Sequence, residues 1–217
     1  STKSFDGGGM LEGALRDDRI TAEMIGDLVH VHPAVLRDAI ARKGVGRVVA
    51  VSDVMFPVDA PAGGFEINGI LGRADEKGEY LYVTGRRGAD GGVTEVKSGE
   101  IRASNVKVLF GAAVNQDRVF ANMVGLLASE VEGNYIRRHS ALPLDEAVCH
   151  ASRMCSENPA RLTGLYDGSA GRKVGAVAAG YEADVIIADI ARGEGLQADV
   201  QLREVFLAGK PTLGLCN

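Results

Sequence analysis

A chain of 217 residues is long enough for one large domain or for part of a bigger protein. Hydrophobic residues make up 46% and charged residues 24%, an ordinary globular balance that allows a core of useful size. The 24 basic against 29 acidic residues leave a formal net charge of -5, which argues against a nucleic-acid partner, since such a partner needs a clustered basic excess. The longest apolar stretches, such as Val48–Val51 and 185–188, are far too short to cross a bilayer, so no membrane partner is expected. The three cysteines, Cys149, Cys155 and Cys216, cannot all pair and lack metal-type spacing. They point to a reducing compartment, the cytoplasm. Ser1-Thr2-Lys3-Ser4 carries no apolar signal core and no initiator Met, so the chain is expected to begin inside a longer protein.

In chain order, Asp6-Gly7-Gly8-Gly9 reads as a loop and 11–15 as a short helical piece. The run 23–29 approaches a strand. Pro33 suits a first helical turn, and 34–42 has helical apolar spacing at Val35, Leu36, Ala39 and Ile40, closed by Gly44 and Gly46. Residues 47–52 form a β-branched run without alternation, the pattern of a parallel strand buried on both faces. Strand, helix and strand within this span make a βαβ unit. Residues 58–108 are rich in glycine and β-formers, with turn signals at Asn68-Gly69, Asp90-Gly91-Gly92 and Ser98-Gly99, which predicts hairpins. Helical periodicity returns over 115–131, with Val119, Met123, Leu126 and Leu127 on one face. Two more helical pieces are predicted at 145–154 and 159–162, then a β pair at 183–188 and 205–207.

Three features carry chemistry. Asp53 sits just past the carboxyl end of the buried strand 47–52, the edge where barrels of alternating strands and helices place catalytic groups. A carboxylate there can take a proton from water and return it to a leaving amine; the plainer reading is that an Asp after a strand opens a turn. In His30-Val31-His32-Pro33, residues two apart on a strand would aim both imidazoles at one ion or anion. A metal at that pair would need further histidines, and only His139 and His150 are available, in a linker-and-helix region; His32 reads better as a helix start. Finally, Gly175 and Gly180 lead to Ala183-Asp184 and the apolar run ending at Asp189, with Asn158-Pro159-Ala160-Arg161 upstream. The job expected there is structural, a turn feeding a strand, with Asp184 and Asp189 capping turns.

Taken in order, Asp27-x-x-His30-Val31-His32-Pro33, a helix, Val51-Ser52-Asp53-Val54-Met55, Leu109-Phe110-Gly111 with Asp117 and Asn122, Asn158-Pro159-Ala160 and Gly180-x-x-Ala183-Asp184 form a specific combination. It resembles the C-terminal portion of the N-acetylglucosamine-6-phosphate deacetylase family, in the metal-dependent amidohydrolase superfamily, across almost all of the chain. The resemblance implies an α/β fold: the C-terminal part of a (β/α)8 TIM-like barrel plus the C-terminal segment of a small β-sandwich domain built from both chain ends. Residues 1–165 would be the barrel part, with a β-hairpin insertion at about 58–108, and 166–217 the segment of the small β domain.

The same resemblance makes Asp53 the general base and acid, and His30 a substrate contact near the sugar's phosphate. It implies a divalent metal, zinc by family habit, whose principal ligands, a Glu and two His, would lie before Ser1, as would the histidine that polarises the acetyl carbonyl. The implied partners are an amino-sugar substrate, the N-terminal half of the enzyme and a second copy in a homodimer. Two departures bear on the substrate. The family's phosphate-clamping loop Arg falls on Asp6, whose charge repels a phosphate. A hydroxyl-bearing stretch appears here as Gly111-Ala112-Ala113. The expected activity is N-deacetylation of an amino sugar; the rivals are hydrolysis of another amide and a non-catalytic sugar-binding or dimerisation domain.

Overall fold

The computed structural model describes residues 9–55, 64–74, 80–96 and 109–212. A short helix α1 (Gly9–Arg16) leads into the predicted βαβ unit: β1 (Ala22–Ile25), α2 (Pro33–Lys43) and β2 (Val48–Val51). Each end of α2 has a local cause. His32 occupies the N-cap, its Nδ1 accepting from Ala34 N at 3.3 Å, and Pro33 fills the first turn, where its missing N–H costs nothing. At the other end Gly44 turns out of the helix at φ 80°. Lys43 Nζ then donates to Ala14 O and Asp17 O, both at 2.6 Å, tying the end of α1 to the end of α2. The strands β1 and β2 pair in parallel, Ala22 opposite Val48 and Ile25 opposite Val51. Buried Val48, Val49 and Ala50 explain the lack of alternation in this strand.

The predicted hairpin region is an antiparallel sheet of β3 (Gly64–Ile67), β4 (Ile70–Ala74), β5 (Tyr80–Arg87), β6 (Val93–Glu95) and β7 (Leu109–Ala112), in which β7 pairs with β5. Asn68 and Gly69 both take positive φ, 50° and 77°, the two-residue turn that this dipeptide favours. The turn expected at Ser98-Gly99 lies outside the described residues. The strand β7 goes beyond the sequence reading. It also bridges in parallel to Val54, so it connects the hairpin sheet to the chain leaving β2.

Next come α3 (Gln116–Ala128), α4 (Leu144–Ser152) and α5 (Asn158–Leu162). The two pieces expected at 145–154 and 159–162 are one rod, because a π-helical turn, Arg153–Glu157, joins α4 to α5. The last sheet holds β8 (Val185–Arg192), β9 (Ala198–Leu207) and β10 (Lys210–Pro211), all antiparallel. β9 is far longer than the expected 205–207. Its Gln201, Arg203 and Glu204 are exposed, and a polar stretch of this kind hides a strand from hydropathy. Asp184 caps a turn as expected, Oδ1 accepting from Ala208 N at 2.7 Å; Asp189 instead pairs across the strands with Arg203 Nε at 2.6 Å.

The core lies where α2, β2, α3 and α4 meet, around Leu36, Ile40, Val48, Val119, Met123, Leu126, Leu127 and Met154. Burying each such side chain contributes roughly 1.5–3 kcal/mol. Ala198 of β9 joins this cluster, and Arg192 reaches the Ala128 carbonyl, so the last sheet is fastened to the end of α3. The fold is mixed α/β; among the described residues the parallel sheet has two strands and no barrel closes. No helix of the described residues is long and apolar enough to cross a membrane.

Candidate active site

The carboxyl edge of the β1–β2 pair gathers the chemistry. Gly26 N still donates to Val51 O at 3.0 Å, and continuing that register brings one strand to Asp27 and the other to Asp53. In parallel α/β sheets this edge is where ligands meet the fold.

Asp53 is exposed, with its backbone at φ 51°. Its carbonyl accepts from Ala112 N at 3.0 Å while Met55 N donates to Ala112 O at 3.2 Å, so β7 clamps residues 53–55 in place. Gly111 is required beside it: at φ 74°, a Cβ there would sit 2.2 Å from Met55 Cγ and 3.2 Å from the Asp53 carbonyl. The Asp53 carboxylate makes no hydrogen bond or ion pair among the described residues. A turn-capping Asp would spend its carboxylate on a nearby backbone N–H. Among the described residues this one has no such partner.

His30 is held differently from the expectation. The segment after β1 is a tight bend, not a strand, so His30 and His32 do not share a strand face. Asp27, with a fully buried side chain, directs Oδ1 to Val29 N at 3.0 Å and His30 N at 2.9 Å, and Oδ2 to His30 Nδ1 at 2.6 Å. Leu28 pays for the bend with φ 63°, an uncommon state for a bulky residue. Four described non-glycine residues have positive φ. Asn68 and Ala208 sit in tight turns ahead of a glycine; Leu28 and Asp53 flank this strand edge. Backbone strain of about 1–3 kcal/mol per residue tends to gather at functional sites.

Supporting amides hold the strand pair from behind. Gln116 Nε2 donates to Ala50 O at 2.9 Å, Asn122 Nδ2 to Gly26 O at 2.9 Å, and Asn158 Nδ2 to Val45 O and Val48 O at 2.7 and 2.6 Å. Asn122 and Asn158 belong to the quoted pattern, which gave them no role. Nor did the sequence reading assign one to Asp27; the signal available was a carboxylate three residues ahead of a histidine.

A polar cleft of about 490 Å³ opens between Asp27–Val29, the start of α3 and β9, lined by Asp117, Arg118 and Asp199 among others. Neither Asp53 nor His30 lines it, so it adds nothing to the geometry of Asp53. A catalytic zinc takes three protein ligands. No group of three or more His, Cys, Asp or Glu among the described residues could hold a metal ion, and His32 is committed to the α2 cap. These residues do not make up a metal centre. Asp6, the expected departure at the phosphate loop, lies outside the described residues.

The chain is similar to known proteins. Over 73 residues the chain is 32% identical to an N-acetylglucosamine-6-phosphate deacetylase of Lysinibacillus sphaericus, a match covering 34% of this chain and 19% of that protein. The N-acetylglucosamine-6-phosphate deacetylase of Pasteurella multocida superposes on 98% of this chain with a TM-score of 0.63 at 18% identity. The chain matches part of an N-acetylglucosamine-6-phosphate deacetylase. The Mycobacterium smegmatis deacetylase, solved with N-acetyl-D-glucosamine-6-phosphate, gives a TM-score of 0.60 at 23% identity over 91% of this chain. The chain spans 41% of the Pasteurella deacetylase and 39% of the Mycobacterium one. No protein-family model matches it.

Proposed function

We propose that this chain supplies the catalytic aspartate and the C-terminal portion of a metal-dependent amide hydrolase that deacetylates an N-acetyl amino sugar. The observation that carries the reading is Asp53: a carboxylate with no partner among the described residues, at the carboxyl edge of a parallel pair, its backbone clamped by β7. Asp53 accepts a proton from the water that attacks the acetyl carbonyl, then returns it to the departing amine as the C–N bond breaks. His30, oriented by its neighbours, contacts the sugar. The divalent metal, zinc by the resemblance, takes its ligands from outside the described residues. Residues 1–165 serve as part of the barrel and 166–217 as part of the small β domain, in a cytoplasmic homodimer completed by the N-terminal half of the enzyme.

The partial match to the Lysinibacillus deacetylase and the superposition on deacetylase structures support this reading. A neighbouring reading keeps the hydrolysis and changes the substrate, favoured by Gly111-Ala112-Ala113, which brings no hydroxyl to β7 and the residue after it.

Asp53→Asn in the complete enzyme tests the mechanism. The amide keeps the shape but accepts no proton from water, so kcat should fall by about 10⁴-fold, the upper end for general acid–base catalysis, because one residue serves both steps. The thermal midpoint should hold. Near-normal turnover would remove Asp53 from the mechanism.

A further inference from the structure

We infer that Asp27 is the positioning residue of this site: its carboxylate holds His30 as the Nδ1–H tautomer and leaves Nε2 as the ring atom that meets the ligand, through its lone pair. The inference rests on the proposed function for the identity of the ligand, and on geometry alone for the tautomer. In the neutral imidazole one nitrogen donates and the other accepts, and the partner of one decides the other. Here the partner is a carboxylate oxygen 2.6 Å from Nδ1, and an ionised carboxylate only accepts. The carboxylate is itself fixed. Its side chain is fully buried, and its other oxygen accepts from the backbone of Val29 and His30 at 3.0 and 2.9 Å. The bend that brings ring and carboxylate together requires Leu28 at φ 63°. Nε2 has no hydrogen-bond partner among the described residues, and the ring keeps 16% of its side-chain surface exposed.

This sets what His30 can read. A lone pair on Nε2 accepts from a sugar hydroxyl or an amide N–H, and a phosphate oxygen offers it no proton. The substrate group recognised by the neutral ring is therefore a hydrogen-bond donor, a hydroxyl or the amide N–H of the amino sugar.

The tautomer is read directly from long-range ¹H–¹⁵N correlation spectra of the full chain, at a pH where the ring is neutral. The wild-type protein should show His30 with Nδ1 protonated and Nε2 bare. In Asp27→Asn the remaining oxygen still accepts from Val29 and His30, but the amide NH₂ now faces Nδ1 as a donor, so the tautomer should invert. A purely structural Asp27 would leave the tautomer unmoved. A wild-type ring protonated at Nε2 overturns the inference, with no variant needed. In the complete enzyme Asp27→Asn turns Nε2 into a donor facing a donor, and KM for N-acetylglucosamine should rise about 10–100-fold, the range for a lost hydrogen bond with its partner left unsatisfied, while kcat changes less. An inverted tautomer with unchanged KM would overturn the donor assignment. These outcomes are independent of Asp53→Asn, which judges hydrolysis itself.

Discussion

Asp38, on the buried side of α2, should prove the anchor of the segment that follows α3. Its Oδ2 accepts from Asn134 N at 2.7 Å and Tyr135 N at 2.8 Å; its Oδ1 accepts from His139 Nε2 at 2.7 Å and Ile136 N at 3.2 Å. The two side chains are nearly closed to water, 2% exposed for Asp38 and 5% for His139. Asp38→Ala strips the acceptor from four donors at once. Left buried, each unsatisfied donor costs about 1–3 kcal/mol, but the segment lies at the surface and can open to water. The loss should therefore settle at about 3–5 kcal/mol, as when one partner is removed from a buried pair. Asp38→Asn keeps one oxygen and should lose roughly half as much. Urea unfolding gives the change, and hydrogen exchange at the amides of 134–136 locates it. A loss under about 1 kcal/mol with those amides still protected would refute the reasoning, because an anchor worth the four bonds cannot be removed so cheaply. Burial pushes the Asp38 carboxyl up, but hydrogen bonds from Tyr135, His139, Ile136 and Asn134 outweigh it and hold the group below its ordinary range. A carboxyl depressed in the folded state stabilises fully above its unfolded value, about pH 4, and that stability is lost as pH falls through the folded value. The gap between wild type and Asp38→Ala should narrow below about pH 4.

Three further outcomes follow from packing and charge. Gly125→Ala should destabilise, although alanine favours a helix by about 1 kcal/mol, because a Cβ there would lie 2.5 Å from Gln197 backbone atoms; a net loss of about 1–3 kcal/mol on thermal unfolding is expected, and a gain would show that the turn leading into β9 does not press on α3. Burial pushes the Cys155 thiol up to about 12, against a hydrogen bond with Gln116, whereas Cys149 is exposed. A thiol-alkylating reagent followed by peptide mass mapping should therefore label Cys149 at least about 100-fold faster than Cys155. In the complete enzyme, kcat/KM should show a weak preference for the 6-phosphorylated sugar; a preference of several hundred-fold, on the order of 3–4 kcal/mol, would mean that Asp6 does not take the place of a phosphate clamp.

The βαβ unit was legible because its signals agree. Val48, Val49 and Val51 favour a strand, Pro33 and Gly44 bracket a helix, and Leu36 and Ile40 fall on its buried face. The strand β7 was not legible, since Leu109-Phe110-Gly111-Ala112 is short and holds a glycine whose left-handed backbone only the neighbouring Met55 and Asp53 explain. Asp53 could be picked out by its place after a strand. That its carboxylate has no partner among the described residues could not, because a turn-forming Asp has the same sequence. The grip of Asp27 on His30 depends on a left-handed leucine, and nothing in a leucine announces that state.

The π-helical turn between α4 and α5 has a consequence for helical phase. A π turn fits one residue more into the rod than an α-helical ladder would hold, and each residue advances an α-helix by about 100°. Ala147 and Ala151 face the core ahead of the turn and Met154 within it; Asn158 and Ala160 are buried beyond it. Winding all five residues of Arg153–Glu157 as a regular α-helix would rotate everything past them by about 100°. The Asn158 amide would swing off the Val45 and Val48 carbonyls that it now joins, leaving the start of β2 without its brace from behind. The irregular turn thus sets the angular reference by which one helix locks the strand that carries Asp53.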